Sequence, residues 1–173
     1  ATSGLALVNE LPYATYEVRE KVDANSVYHL NADWKAVLTI REDGYTVDIG
    51  TLPCEDKITR GGIKLQKVDA DTLKPVPSGN GTLKGAVFAI YNASAAPVKV
   101  NGQIWPSVAG VPLEQLDSRT PMFTMVTDVN GRASTATDTL PYGTYIIREI
   151  QAPEGYKLNE EFALGVRFTI REE

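Results

Sequence analysis

Little in this chain is equipped to act on an outside molecule. Of 173 residues, one is histidine, His29, and one is cysteine, Cys54. A catalytic nucleophile needs a base within hydrogen-bond reach, and no motif surrounds either residue, so both read as structural and an enzyme is not expected. A lone cysteine also excludes a disulfide framework. Positive charge is scarce and dispersed, with 17 Lys and Arg against 22 Asp and Glu and a net charge of −5. Nucleic-acid binding needs a basic footprint and anionic membranes attract polybasic segments; neither partner is expected. No apolar run approaches the roughly 20 residues of a spanning helix, so no membrane contact is expected of this segment. Asp128-Val129-Asn130-Gly131 resembles part of a calcium loop but lacks the EF-hand's closing Glu. No metal and no cofactor are expected.

What the chain does have is an echo of itself. Leu11-Pro12-Tyr13-Ala14-Thr15-Tyr16-Glu17-Val18-Arg19-Glu20-Lys21 returns 129 positions later as Leu140-Pro141-Tyr142-Gly143-Thr144-Tyr145-Ile146-Ile147-Arg148-Glu149-Ile150. Thr39-Ile40-Arg41-Glu42 returns 130 positions later as Thr169-Ile170-Arg171-Glu172. Two matches in one order at nearly one offset are an internal repeat. Residues 1–60 match only the second half of the unit, and 61–173 begin the next. At this period, a unit opening at Gly61 closes at about residue 189, so its last strand is expected beyond Glu173. With 43% hydrophobic residues, the chain has enough apolar matter for one full core and part of a second.

The patterning is β almost throughout. Ile63–Asp69, Ala86–Tyr91, Phe123–Thr127, Thr144–Ile150, Val166–Ile170, Val37–Ile40 and Tyr45–Ile49 are expected strands, being rich in Val, Ile, Tyr, Phe and Thr. Val98–Val100 and Gln103–Trp105 flank Asn101-Gly102, a strong hairpin signal, and Asn130-Gly131 marks another turn. Pro75–Thr82 reads as a loop, and Leu113–Ser118 is the one expected helical turn. Strands at this spacing without helices between them predict an all-β, immunoglobulin-like Greek-key sandwich.

Side-chain parity then locates ionisable groups. Along Thr15–Lys21, Tyr16, Val18 and Glu20 share one face, and Glu17, Arg19 and Lys21 the other. The fully charged face is assigned to water, so Glu20 points inward; its echo Glu149 does so with Tyr145 and Ile147. Lys67 shares the inward face with Ile63 and Leu65. In Cys54–Ile58 the inward set is Cys54, Asp56 and Ile58. Ionisable groups are seldom buried unless paired. They read either as edge positions and plain salt bridges or as a reactive set. Desolvation favours the neutral forms of amines and acids. A neutral amine is a nucleophile, and a protonated carboxyl shuttles protons. Held against a carboxamide or carboxyl, such a pair forms an amide without external help.

These residues resemble the B-type repeats of Gram-positive collagen adhesins and the related SpaA-like, isopeptide-forming pilin domains. Ile63-Lys64-Leu65-Gln66-Lys67-Val68-Asp69 is similar to the family's first strand, and Leu83-Lys84-Gly85-Ala86-Val87-Phe88-Ala89-Ile90-Tyr91 to its second. Tyr145-Ile146-Ile147-Arg148-Glu149-Ile150-Gln151-Ala152-Pro153-Glu154-Gly155-Tyr156 resembles its E-box. The resemblance implies tandem modules, with 1–60 the C-terminal half of one repeat and 61–173 a repeat lacking its last strand. It implies that Lys67 is the crosslinking amine and Glu149 the acid promoting the bond. In the first unit, Glu20 is the matching acid and Asp56 the matching acceptor. The implied role is a stalk or spacer on the bacterial cell wall, outside the cell, whose partners are adjacent modules of the same protein. A ligand-binding adhesive module is the alternative, with a host extracellular-matrix protein as partner; saturable retention on matrix proteins separates the two.

Overall fold

The computed structural model describes residues 6–21, 28, 29, 31–44, 46–49 and 54–171. The chain forms two compact units, residues 1–57 and 58–173. In the first, β1 (Ala14–Arg19) pairs antiparallel with β3 (Lys35–Ile40), and Tyr28–His29 makes the two-residue β2. Tyr16 and Val18 are half-buried while Glu17 and Arg19 are exposed, as period-two alternation requires. Of the expected strand Tyr45–Ile49, Tyr45 lies outside the described residues, and 46–49 form no strand.

Strands β4 (Lys57–Ile58), β5 (Arg60–Gly61) and β6 (Lys64–Gln66) come next, followed by β7 (Val87–Asn92), β8 (Val98–Val100) and β9 (Gln103–Trp105). A 3₁₀ helix, Leu113–Ser118, precedes β10 (Phe123–Val126), β11 (Arg132–Ser134), β12 (Leu140–Pro141) and β13 (Gly143–Gln151). Helix α1 (Glu160–Leu164) and β14 (Val166–Ile170) complete the order. The main sheet runs β10-β7-β13-β14 and is antiparallel throughout. Three two-stranded ribbons, β6-β11, β5-β12 and β8-β9, supply the residues that cover one of its faces. Phe88, Ile90, Met125, Tyr145 and Ile147 of the sheet meet Leu65, Val100, Ala133 and Leu140 of the ribbons in one core. This is the expected all-β Greek-key sandwich.

The opposite face of the sheet is not wet. Ala89, Tyr91 and Ile146 form a second apolar cluster with Val108 and Leu116 from the loop and 3₁₀ helix that follow β9. Strand parity predicts which residues share a face; it does not reveal whether a connection folds back over that face. Arg148 is consequently buried, at 8% exposed, although its face was assigned to solvent.

The internal echo is structural as well as sequential. In the first unit Ala14 pairs with Ile40, Thr15 with Thr39 and Tyr16 with Leu38. In the second, Gly143 pairs with Ile170, Thr144 with Thr169 and Tyr145 with Phe168. Both tyrosines close the same corner: Tyr16 Oη donates to the Pro12 carbonyl at 2.7 Å, and Tyr145 Oη to the Pro141 carbonyl at 2.6 Å. Burial of Tyr145 pushes its phenol up to about 12.

Candidate functional site

Lys67 stands one residue past β6. Its backbone N–H donates to the Gly131 carbonyl at 2.7 Å, which fixes it against the Asp128–Gly131 turn. That turn is built as the Asn-Gly signal predicts. Asp128 Oδ1 accepts the N–H groups of Asn130 and Arg132, and Gly131 takes a φ of +73°. Across the core, Glu149 lies on the inner face of β13 with its side chain fully sealed from solvent. Lys67 Nζ donates to Glu149 Oε1 at 2.5 Å, and the lysine side chain keeps 14% exposure. The ammonium also lies 6.0 Å from the centre of the Phe88 ring, within range of a cation–π attraction.

The second carboxylate oxygen is occupied too. Glu149 Oε2 accepts the backbone N–H of Asn159 at 3.1 Å. Asn159 caps α1, its side chain accepting the Phe162 N–H at 3.0 Å. Pairing of β13 with β14 stops at Ile147, and a bulge between Glu149 and Gln151 follows. Bulges bend a strand and re-aim its side chains. Alongside this stretch α1 packs against β13. Its Ala163 carbonyl accepts from Arg148 Nε at 2.8 Å, and Arg148 Nη1 reaches Asp117 at 2.9 Å. Phe162 meets Phe88 edge to face, with centroids 6.0 Å apart. The sequence reading held no helix here, although Asn159 followed by two glutamates and closed by Gly165 is a start-and-stop signature.

In the first unit, Glu20 Oε2 accepts the backbone N–H of Asn31 at 2.6 Å, the counterpart of Asn159 to Glu149. Reading reveals why: Asn31-Ala32-Asp33-Trp34 and Asn159-Glu160-Glu161-Phe162 share an Asn, an acid and an aromatic at the same spacing. That echo is short enough to miss between the longer ones. Glu20, Cys54 and Asp56 bring their polar atoms within 4.8 Å of one another. Cys54 and Asp56, however, are exposed, and of the inward set only Ile58 is half-buried. Parity holds only along a continuous strand, and 54–56 are in none. Partial desolvation, then the neighbouring Glu20 and Asp56 charges, push the Cys54 thiol up.

Beside Lys67, Asp69 is buried at 3% exposure and ties down the loop that leaves it. Its Oδ1 accepts the N–H groups of Asp71 and Thr72, and its Oδ2 accepts the Tyr156 hydroxyl at 2.9 Å. Tyr156 Oη in turn accepts the Ser78 N–H. Donors aimed at a carboxylate favour its ionised form; the Thr72 N–H foremost, with Ser78 and Tyr156, holds Asp69 down at about 2. A depressed folded-state value stabilises the fold above the unfolded carboxyl's range, and that contribution is lost as pH falls through about 2. Asp69→Asn is therefore expected to unfold more readily than the parent above pH ~4, the gap closing in strong acid. Urea unfolding at several pH values measures it; a gap that does not vary with pH sinks the assignment.

A lysine–glutamate pair is thus enclosed in an all-β sandwich, between the residue after β6 and the inner face of β13. The sequence model of the SpaA prealbumin-like fold domain family matches residues 61–173, and the chain belongs to that family. Among solved structures, the Bacillus anthracis TIE protein superposes over 99% of this chain with a TM-score of 0.61 and 26% identity. The chain spans 25% of that structure's length. The T6 backbone pilin of serotype M6 Streptococcus pyogenes matches 68% of the chain and 17% of its own, at 24% identity and TM-score 0.41. The group B streptococcus pilus 2b backbone protein matches 88% and 44%, at 18% identity and TM-score 0.42. No curated protein matches the chain.

Proposed function

We propose that the chain is a structural module of a Gram-positive surface adhesin or pilin, a stalk or spacer displayed on the cell wall. Its reaction is internal: an isopeptide bond between Lys67 and the side chain of an Asn or Asp, promoted by Glu149. The single observation that carries this reading is the Lys67–Glu149 contact, a hydrogen-bonded pair in which the acid is wholly enclosed. Membership of the SpaA family agrees with it.

The chemistry balances. Lys67 Nζ attacks the acceptor's side-chain carbonyl carbon and forms a C–N bond. Glu149 relays a proton from the amine to the leaving group, which departs as ammonia from Asn or as water from Asp. Fixed geometry substitutes for the activation an intermolecular reaction needs. The reading takes the acceptor of Lys67 to be on the strand expected beyond Glu173. Asp56 holds the equivalent acceptor position in the first unit, with Glu20 as its acid; residues 1–60 and 61–173 are then portions of successive repeats.

Intact mass tests the proposal directly. A chain extended to about residue 190, as the repeat length requires, is expected to weigh less than its sequence by one ammonia or one water. Lys67→Ala and Glu149→Ala should each restore the full mass. Full mass in the unmutated extended chain refutes the crosslink, and a deficit that survives Lys67→Ala assigns it to another lysine.

A further inference from the structure

We propose that the segment Asn159–Phe162 positions the Glu149 acid, reserving one of its oxygens and sealing the pair from water. This inference rests on the crosslinking role just given to Lys67 and Glu149, and it names groups outside that pair. Asn159 supplies a backbone N–H to Oε2, so the carboxyl presents Oε1 alone to the amine. A relay needs one oxygen that first receives the amine's proton and then releases it to the leaving group. A carboxyl free to rotate offers either oxygen and loses the lysine; one pinned at Oε2 is preorganised.

Phe162 contributes the other half. It stands three residues past Asn159 and donates its own N–H to the Asn159 side chain, so the cap fixes its place. Its ring abuts Phe88 edge to face, and Phe88 carries the lysine's ammonium at 6.0 Å from its centre. Phe162 therefore acts through Phe88 and is a positioning residue. The carbonyl of Ala163, bound by buried Arg148, anchors the far end of the helix to the same strand. Arg148 and Glu149 are consecutive and face opposite ways, so α1 grips β13 from both sides.

The first unit carries independent support. There Asn31 donates its N–H to Glu20 Oε2, and Trp34 holds the sequence position of Phe162, although residues 31–34 form no helix. What the two units share is the N–H on the glutamate and the aromatic three residues on. A helix needed only to cover a strand edge would not account for that.

Acylation of the protein by a small amine-reactive reagent, read lysine by lysine from peptide masses, tests the inference on the chain as it stands. Exposed Lys64, Lys74 and Lys84 serve as internal references. Phe162→Ala is expected to raise labelling of Lys67 relative to them by roughly tenfold, the effect of a local opening made easier, and Phe162→Leu to return most of the protection. Asn159→Pro deletes the N–H at a φ of −71° that proline accepts. It is expected to expose Lys67 as well, and more than Asn159→Ala, which loses the cap side chain but keeps the N–H on Glu149. A purely structural helix predicts equal effects of the two Asn159 variants, and that result, or unchanged labelling in Phe162→Ala, overturns the inference. Labelling as expected in a protein whose extended form never loses mass would uphold the positioning and discard the crosslink.

Discussion

Lys67→Ala is expected to destabilise the second unit by about 3–5 kcal/mol, the usual cost of removing one member of a buried ion pair. Glu149→Ala is expected to cost less, about 1.5–3 kcal/mol, the range of one hydrogen bond to a charged group. The asymmetry follows from access to water. Without Lys67, a carboxylate with no exposed surface keeps the Asn159 N–H as its one remaining donor. Without Glu149, the lysine retains 14% exposure and a flexible stem, so its ammonium reaches solvent. Lys67→Met combined with Glu149→Leu is expected to recover most of the loss, because an apolar pair of similar volume avoids the desolvation of both charges. Urea unfolding of the parent, Lys67→Met, Glu149→Leu and the double variant gives the coupling directly. If the double variant is as unstable as the sum of the singles, the two groups are not coupled, and the site described here is two unrelated side chains. A polar pair whose apolar replacement recovers stability is retained for something other than stability.

The site's inner half was legible because it depends on period alone. Once Tyr145 and Ile147 are assigned to a core, Glu149 must follow them along β13, and Lys67 keeps the alternation of Ile63 and Leu65 one residue past the end of β6. The repeat reinforced this, since a feature copied at Tyr16 and Tyr145 is more than a local accident. The outer half was not legible. Arg148 belongs to a face whose charged first-unit counterpart, Arg19, is exposed; what meets it are Asp117 of the 3₁₀ helix and the Ala163–Gly165 end of α1, distant in sequence. Helix α1 was overlooked for a different reason. It is one turn and a half long, too short for an apolar period, and its cap announces it more clearly than its composition does. Asp56 is exposed, not inward, because alternation does not hold over 54–56, where the chain makes no strand.

Gly131→Ala is expected to cost about 2–4 kcal/mol, the sum of backbone strain and crowding at a close-packed turn. Its φ of +73° lies where a side chain is strained, and a Cβ there would stand 2.9 Å from the Lys67 carbonyl oxygen and 3.0 Å from Leu83 Cβ. Neither neighbour gives way easily. The Lys67 backbone is already held by its N–H to the Gly131 carbonyl at 2.7 Å, and Leu83 is buried at 1% exposure. Displacement must therefore pass to Lys67, whose amine has to stay within reach of Glu149 Oε1. Gly131→Asn separates the two causes, since asparagine tolerates a positive φ but brings the same Cβ. If strain dominates, Asn recovers a good part of the loss; if crowding dominates, Ala and Asn fail alike, and both slow crosslinking in the extended chain. Unfolding free energies within about 0.5 kcal/mol of the parent for both variants, the range of an ordinary surface change, would show that the turn yields and does not set the lysine's position.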